Sequence, residues 1–422
     1  MMFTQNIADF KEIITQKESQ LEDAFQKIKS RHQSQGIAFL DAVFDDETLE
    51  TARKKAQDIK SKTKIKNLVL LGTGGSALGT RAVANWKGHF FKSQLDDDYM
   101  RFFVFDNFDP LTLHDFLSKS ELDETYFIII SKSGGTLETM SQAYLLVEYF
   151  EQQGKIAELK ERCTIVTEPK DTPLKRLADK YDITSYDHHL EIGGRYSVLT
   201  MTGFLPIYLL GYDVAEIVEG ARDIANEFLN AKSWSDCQAF HSAAAITAME
   251  MDHDKEAHIS LMYGDRYFGL GLWMRQLIAE SLGKDGKGMV FAPALGPVDQ
   301  HSQLQLYADG PKNKVFSFFM TQTAYRKNEI TREHDPAFSY LKDKTTSDIK
   351  DALQFGTLSS LRNKGYLVRE ISVPHFALKI LGGLFMHFML ETIISAELMG
   401  VNAFDQPAVE DSKNRTRNIL KK

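Results

Sequence analysis

The chain has 422 residues, 43 % of them apolar and 26 % charged, with a formal net charge of −8. That composition is globular and excludes wholesale disorder. The acidic balance excludes a nucleic-acid or anionic-membrane surface as the general design, while leaving room for one locally basic site. The length exceeds one ordinary core and calls for two domains.

Residues 1–60 are polar, rich in Lys, Glu and Gln, and helical in pattern. No basic stretch followed by an apolar one opens the chain, so the expectation is a cytoplasmic protein. From residue 61 to 212, the short apolar runs NLVLLG, RFFVFD, TYFIII and CTIVTE alternate with helical segments such as TLETMSQAYLLVEYFEQQG. Continuous apolar strands separated by helices predict parallel βαβ units with both sheet faces covered. Residues 213–400 repeat the pattern, with strands in HISLMYG, MVFAPAL, KVFSFFMT and LVREISVP. The stretch ILGGLFMHFMLETIISAELMG is interrupted by His387 and Glu391 within the roughly 20 apolar residues that crossing a bilayer requires. It reads as a buried helix, and no membrane partner is expected. Residues 401–422 form a polar tail in which Pro407 interrupts any helix. The predicted fold class is therefore α/β, with two domains that are each a mainly parallel sheet flanked by helices. The two cysteines, Cys163 and Cys237, belong to no CxxC pair, which argues against a disulfide framework or a zinc knuckle.

Two small-residue loops follow two of the strands. In LLGTGGSALG, Gly72, Gly74 and Ala77 fit the dinucleotide pattern G-x-G-x-x-G/A. The acid that should follow about 20 residues on is poorly matched, because Asp106 lies well beyond that spacing. A tight strand–helix turn without a ligand is the competing reading. In SKSGGTLETM, a second hydroxyl-rich loop leads into a second helix. Helix N-termini present free N–H groups and partial positive charge. Ser76, Ser131, Ser133 and Thr136 would add hydroxyl donors, with Lys132 the nearby cation. Two converging loops suit a phosphate monoester better than a buried pyrophosphate, although the same serines could simply cap helices.

Three further stretches carry chemistry. EIGGRYSVLT places Arg195 after two glycines, where backbone can approach a ligand closely. WMRQLIAESLGK puts Gln276 and Glu280 on one helix face. Trp273 and Leu277 share that side, which would set Glu280 against apolar surface with its pKa raised toward that of a general base; a solvated helix glutamate is the competing reading. GPVDQHSQLQL places His301, a candidate acid, in a Gly/Pro-bounded segment. The local cluster His188, His189 and Glu191 is too small to define a metal site.

GTGGSALG, SKSGGTLET, GGRYSVLT, QLIAESLGK, GPVDQHSQLQL and NAFDQPAVEDSK stand in one chain order. Together they resemble the glucose-6-phosphate isomerase family, whose members carry two sugar-isomerase (SIS) domains. The resemblance implies interconversion of glucose 6-phosphate and fructose 6-phosphate through a cis-enediolate, a step of glycolysis and gluconeogenesis, with neither metal nor organic cofactor. It implies that Gly75, Ser76, Ser131, Lys132, Ser133 and Thr136 bind substrate around the phosphate, and that Gln276 and Gln406 also contact it. Glu280 matches the base between C2 and C1, and Arg195 the cation that steadies the enediolate. His301 matches the group that opens the ring, contributed by the partner of a homodimer, with Lys413 beside the ring oxygen and Glu138 orienting the histidine. Alternatives are a dual-specificity enzyme that also accepts mannose 6-phosphate, a non-catalytic sugar-phosphate sensor on the same domains, and a nicotinamide dehydrogenase resting on the GTGGSA match.

Overall fold

The computed structural model describes residues 2–321 and 328–422. Its strands in chain order are β1 (Thr4–Asn6), β2 (Asn67–Leu71), β3 (Arg101–Phe105), β4 (Thr125–Ile130), β5 (Cys163–Thr167), β6 (Thr184–Asp187), β7 (Ala257–Tyr263), β8 (Val290–Gly296), β9 (Lys314–Thr321), β10 (Glu329–Ile330), β11 (Lys344–Thr345) and β12 (Val368–Val373).

The first sheet runs β3-β2-β4-β5-β6 and is parallel throughout. Strands β2, β4 and β5 are buried at every position. Helices cover both faces, so these strands show no polar alternation. The second sheet runs β1-β12-β9-β7-β8, parallel except for β1, which pairs antiparallel with β12. The two sheets repeat one order. Strand β2 lies between β3 and β4, as β7 lies between β8 and β9, and β5 flanks β4 as β12 flanks β9. Strands β10 and β11 form a separate two-stranded ribbon.

Strand β1 falls in the segment expected to be helical. It is three residues long, polar and half-exposed, and carries no periodicity of its own. Its place is set by the edge of β12, with Gln5 opposite Ile371.

Helix Leu378–Met399 is buried everywhere except Lys379, Glu397 and Leu398. It is long and apolar enough to cross a membrane, yet here it is the core helix of the second half. Helix Val214–Asn230 crosses it at glycines. A Cβ on Gly382 would stand 1.8 Å from the Ile217 carbonyl oxygen, and one on Gly220 would stand 1.7 Å from that of Lys379. The core helix carries Glu391, whose carboxylate accepts two bonds from Arg369 Nη1, at 2.8 and 2.9 Å. Burial pushes that carboxyl up, but the Arg369 charge, the His387 hydrogen bond and charge, and the Arg369 hydrogen bond together outweigh it and hold the pKa at about 2.

Helices Gly75–Trp86 and Phe268–Leu282 pack antiparallel and join the two halves. At one end, a Cβ on Gly269 would lie 2.8 Å from Ala82 Cα; at the other, one on Gly74 would lie 2.6 Å from Gln276 Nε2. Helix Val409–Leu420 ends the chain with no buried residue.

Candidate active site

The turn from β2 into helix Gly75–Trp86 is built from glycine because three neighbours press on it. Gly74 has φ +56°, a conformation that costs other residues. A Cβ on Gly72 would meet the Ile130 carbonyl oxygen at 2.9 Å, and one on Gly75 would stand 2.0 Å from the Gly194 carbonyl. The turn is thus pinned between the end of β4 and the loop that carries Arg195. Beside it, the second loop closes on itself: Ser131 and Thr136 hydroxyls lie 3.0 Å apart, and Gly135 N donates to Ser133 Oγ at 3.4 Å. Thr136 precedes helix Leu137–Gln152 without its side chain capping it. The Ser76 hydroxyl bonds no other side chain among the described residues. Lys132 is half-buried, with Nζ 3.9 Å from Glu168. Burial pushes its ammonium pKa down, while the Glu168 charge opposes that shift. A helix N-terminus, hydroxyls and a partly dehydrated lysine converge here, a donor set suited to an oxyanion.

Arg195 is 2 % exposed. Its Nε donates to Ser281 Oγ at 2.8 Å, and Nη1 to Glu280 Oε2 at 3.1 Å and Gln406 Oε1 at 2.8 Å. Its Nη2 donates to the carbonyls of Ala403 at 2.6 Å and Asp405 at 3.0 Å. The guanidinium therefore ties helix Phe268–Leu282 to the segment before the last helix. The other Glu280 oxygen accepts from Gln276 Nε2 at 3.0 Å. Gln276 Oε1 is buried with no partner among the described residues.

This corrects the expected setting of Glu280. Its side chain is 35 % exposed rather than sealed against Trp273 and Leu277. Glu280 is the third residue from the helix end, where apolar packing gives way to the guanidinium and the amide.

Gly75, Arg195, Gln276, Glu280 and Gln406 are thus in one cluster, adjoining the turn that carries Ser76. Among the described residues, no hydrogen bond or ion pair joins His301, Lys413 or Glu138 to it. His301 is exposed in the segment after β8. Lys413 is exposed on the last helix, and its Nζ donates to Glu410 at 2.6 Å. Glu138 is exposed in the first turn of helix Leu137–Gln152. Asp106 is engaged by Arg81 at 2.8 Å instead of standing free for a ribose. The cluster at 188–191 does not converge: His188 Nδ1 bonds the His189 carbonyl, and His189 Nδ1 accepts from Glu191 N. Among the described residues no three metal-ligating side chains gather.

Sequence reasoning missed the supports. Ser281 holds Arg195 Nε, and Lys284 pairs with Asp405 at 2.9 Å and donates to the Asn402 carbonyl, fastening the tail segment. The only sequence signal for Ser281 is its place beside Glu280. The carbonyls of Ala403 and Asp405 leave no signal.

A family model described as phosphoglucose isomerase matches residues 46–422. A glucose-6-phosphate isomerase from Rubrobacter xylanophilus is 32 % identical over 379 residues, which is 88 % of this chain and 86 % of that one. The crystal structure of a hypothetical protein from Thermus thermophilus superposes with a TM-score of 0.89 at 28 % identity, covering 99 % of this chain and 100 % of the other. That of a glucose-6-phosphate isomerase from Chlamydia trachomatis shares the fold, with a TM-score of 0.82 at 18 % identity, covering 100 % and 88 %. With the match extending from the first half through the arginine–glutamate cluster to the last helix, the chain belongs to the phosphoglucose isomerase family.

Proposed function

We propose that this chain interconverts glucose 6-phosphate and fructose 6-phosphate by aldose–ketose isomerisation. The observation that carries the reading is that Arg195 and Gln276, which both hold Glu280, also pack on the Gly74–Gly75 turn that opens the hydroxyl cradle, Gln276 on Gly74 and the Gly194–Arg195 backbone on Gly75. A sugar phosphate must be gripped at its inert end and deprotonated next to a carbonyl. Ser76, Ser131, Ser133 and Thr136 serve as the grip, with Lys132 adding charge. The grip orients an otherwise flexible open-chain sugar. Glu280 carries the proton between C2 and C1. The buried charge of Arg195 lies close to where the enediolate becomes negative, the kind of fixed electrostatic support that often supplies the largest share of catalysis. Gln276 and Gln406 contact the substrate.

Ring opening falls to His301 and Lys413, with Glu138 orienting the histidine. In this reading His301 reaches the site from the partner of a homodimer. Support comes from its exposed position and from the neighbouring apolar side chains of Val298 and Leu306, 58 % and 53 % exposed. The reaction runs in the cytoplasm and draws on no metal or organic cofactor.

The test is turnover of fructose 6-phosphate by native protein and by Glu280→Gln, with mannose 6-phosphate run in parallel. A collapse in the variant supports Glu280 as the base. Equal rates would strip it of that role, and a folded native protein without turnover would favour a sugar-phosphate sensor. Conversion of mannose 6-phosphate would widen the substrate range.

A further inference from the structure

The second sheet repeats the strand order of the first, and open α/β sheets bind ligands beyond the carboxyl ends of their strands, where the order reverses. In the first sheet that point lies between β2 and β4 and holds the hydroxyl cradle. In the second it lies between β7 and β9. A cleft of about 650 Å³ opens there, bounded by Tyr263 at the end of β7 and Gly264 after it, Thr321 at the end of β9, and His375 and Phe376 after β12.

Its charged lining is cationic. Lys87, Arg266 and Lys350 line it, with His375, Thr321 and Thr346, and among the described residues no lining residue is acidic. Arg266 donates Nη1 to the Trp86 carbonyl at 3.2 Å and lies 5.5 Å from the Phe376 ring centroid; its other N–H groups have no hydrogen-bond partner among the described residues. Lys350 is fixed by the Thr321 carbonyl at 2.9 Å and by Asp351 at 2.8 Å. Among the described residues, neither Lys87 nor Arg266 has a carboxylate partner. Helix Thr346–Asn363, 18 residues long, starts at the rim, its N-terminus closed by a capping box of Thr345 and Asp348.

We propose that this cleft is a second anion site, which takes a phosphorylated small molecule. It stands at the far end of the antiparallel pair Gly75–Trp86 and Phe268–Leu282, about 18 Å from the first cradle at 1.5 Å per helical residue. Burial, and then the neighbouring charges of Lys92 and Arg266, push the Lys87 ammonium pKa down, while Glu216 opposes them. A bound anion relieves that repulsion. Arginine and hydroxyl donors together match phosphate geometry.

The experiment is equilibrium dialysis of the full chain against radiolabelled inorganic phosphate, with fructose 6-phosphate turnover measured on the same samples. Native protein should take up two equivalents. Lys87→Met removes no hydrogen bond among the described residues. It should weaken one equivalent tenfold or more and leave turnover unchanged, and Arg266→Met should do the same more severely. Ser131→Ala with Thr136→Val should weaken only the other equivalent. Native uptake, of one equivalent or two, that ignores both cleft substitutions would overturn the second site. That result does not depend on whether turnover is present.

Discussion

Gly75 and Gly194 touch backbone to backbone, so closely that a methyl group on Gly75 would stand 2.0 Å from the Gly194 carbonyl carbon and oxygen. The contact sets the distance between the turn carrying Ser76 and the loop carrying Arg195. Gly75→Ala should therefore cost roughly 1–3 kcal/mol through overpacking and depress turnover by separating the two loops. Gly356, in helix Thr346–Asn363 with nothing within 4 Å of its added Cβ, is the matched control. Gly356→Ala should stabilise by roughly 0.5–1 kcal/mol. Urea denaturation of both variants checks the opposite signs.

Arg195→Lys keeps the charge but loses the fork that reaches Ser281, Gln406 and two carbonyls at once. The expected result is a turnover loss of at least tenfold and a loosened segment 401–408. Limited proteolysis should then cut between the core helix and the last helix faster than in native protein. Unchanged cleavage would mean that Lys284 and Asp405 hold the segment unaided.

Three buried histidines set an acid limit. His89 and His188 are held at about 4, and His258 at about 3, with burial the largest cause in each. The unfolded chain binds their protons near 6.5 and the folded chain does not, so the stability they protect is complete above about 6.5 and is lost as pH falls toward 4. Around pH 5 the slope of unfolding free energy against pH should approach three protons, about 4 kcal/mol per unit. Denaturant titrations at several pH values would show it. A slope below one proton would mean that these rings are not kept neutral.

If His301 is supplied across a dimer, two dead variants should rescue each other. His301→Ala mixed with Glu280→Gln leaves one native site in each hybrid dimer, and activity should return on subunit exchange. No rescue would place both residues in one chain's site. Lys413→Ala should leave the unfolding midpoint unchanged, because the side chain is exposed, while lowering turnover.

Eight strands and both cradle loops were legible because a strand covered by helices is written as a largely apolar run, and a strand-to-helix turn as glycines and hydroxyls; the polar, largely exposed strands β6, β10 and β11 carry no such run. Arg195, Gln276 and Glu280 stood out for the same local reason. The surroundings of Glu280 did not, since they depend on where a helix stops and on a tail segment more than a hundred residues away. Strand β1 was hidden because its partner strand, not its own sequence, makes it extended. The cationic cleft was hidden because Lys87, Arg266, Lys350 and His375 come from four separate stretches, none with a pattern of its own.

Arg195 has five N–H groups, and the protein accepts all five: Ser281, Glu280, Gln406 and two carbonyls. Nothing is left to offer a newcomer unless a resident lets go. In the proposed reaction its influence on a sugar would travel through space, as a potential that little water can screen. That potential is assembled once, when the chain folds. A substrate arriving beside it would meet a guanidinium whose direction is already set, with no reorientation of Arg195 required.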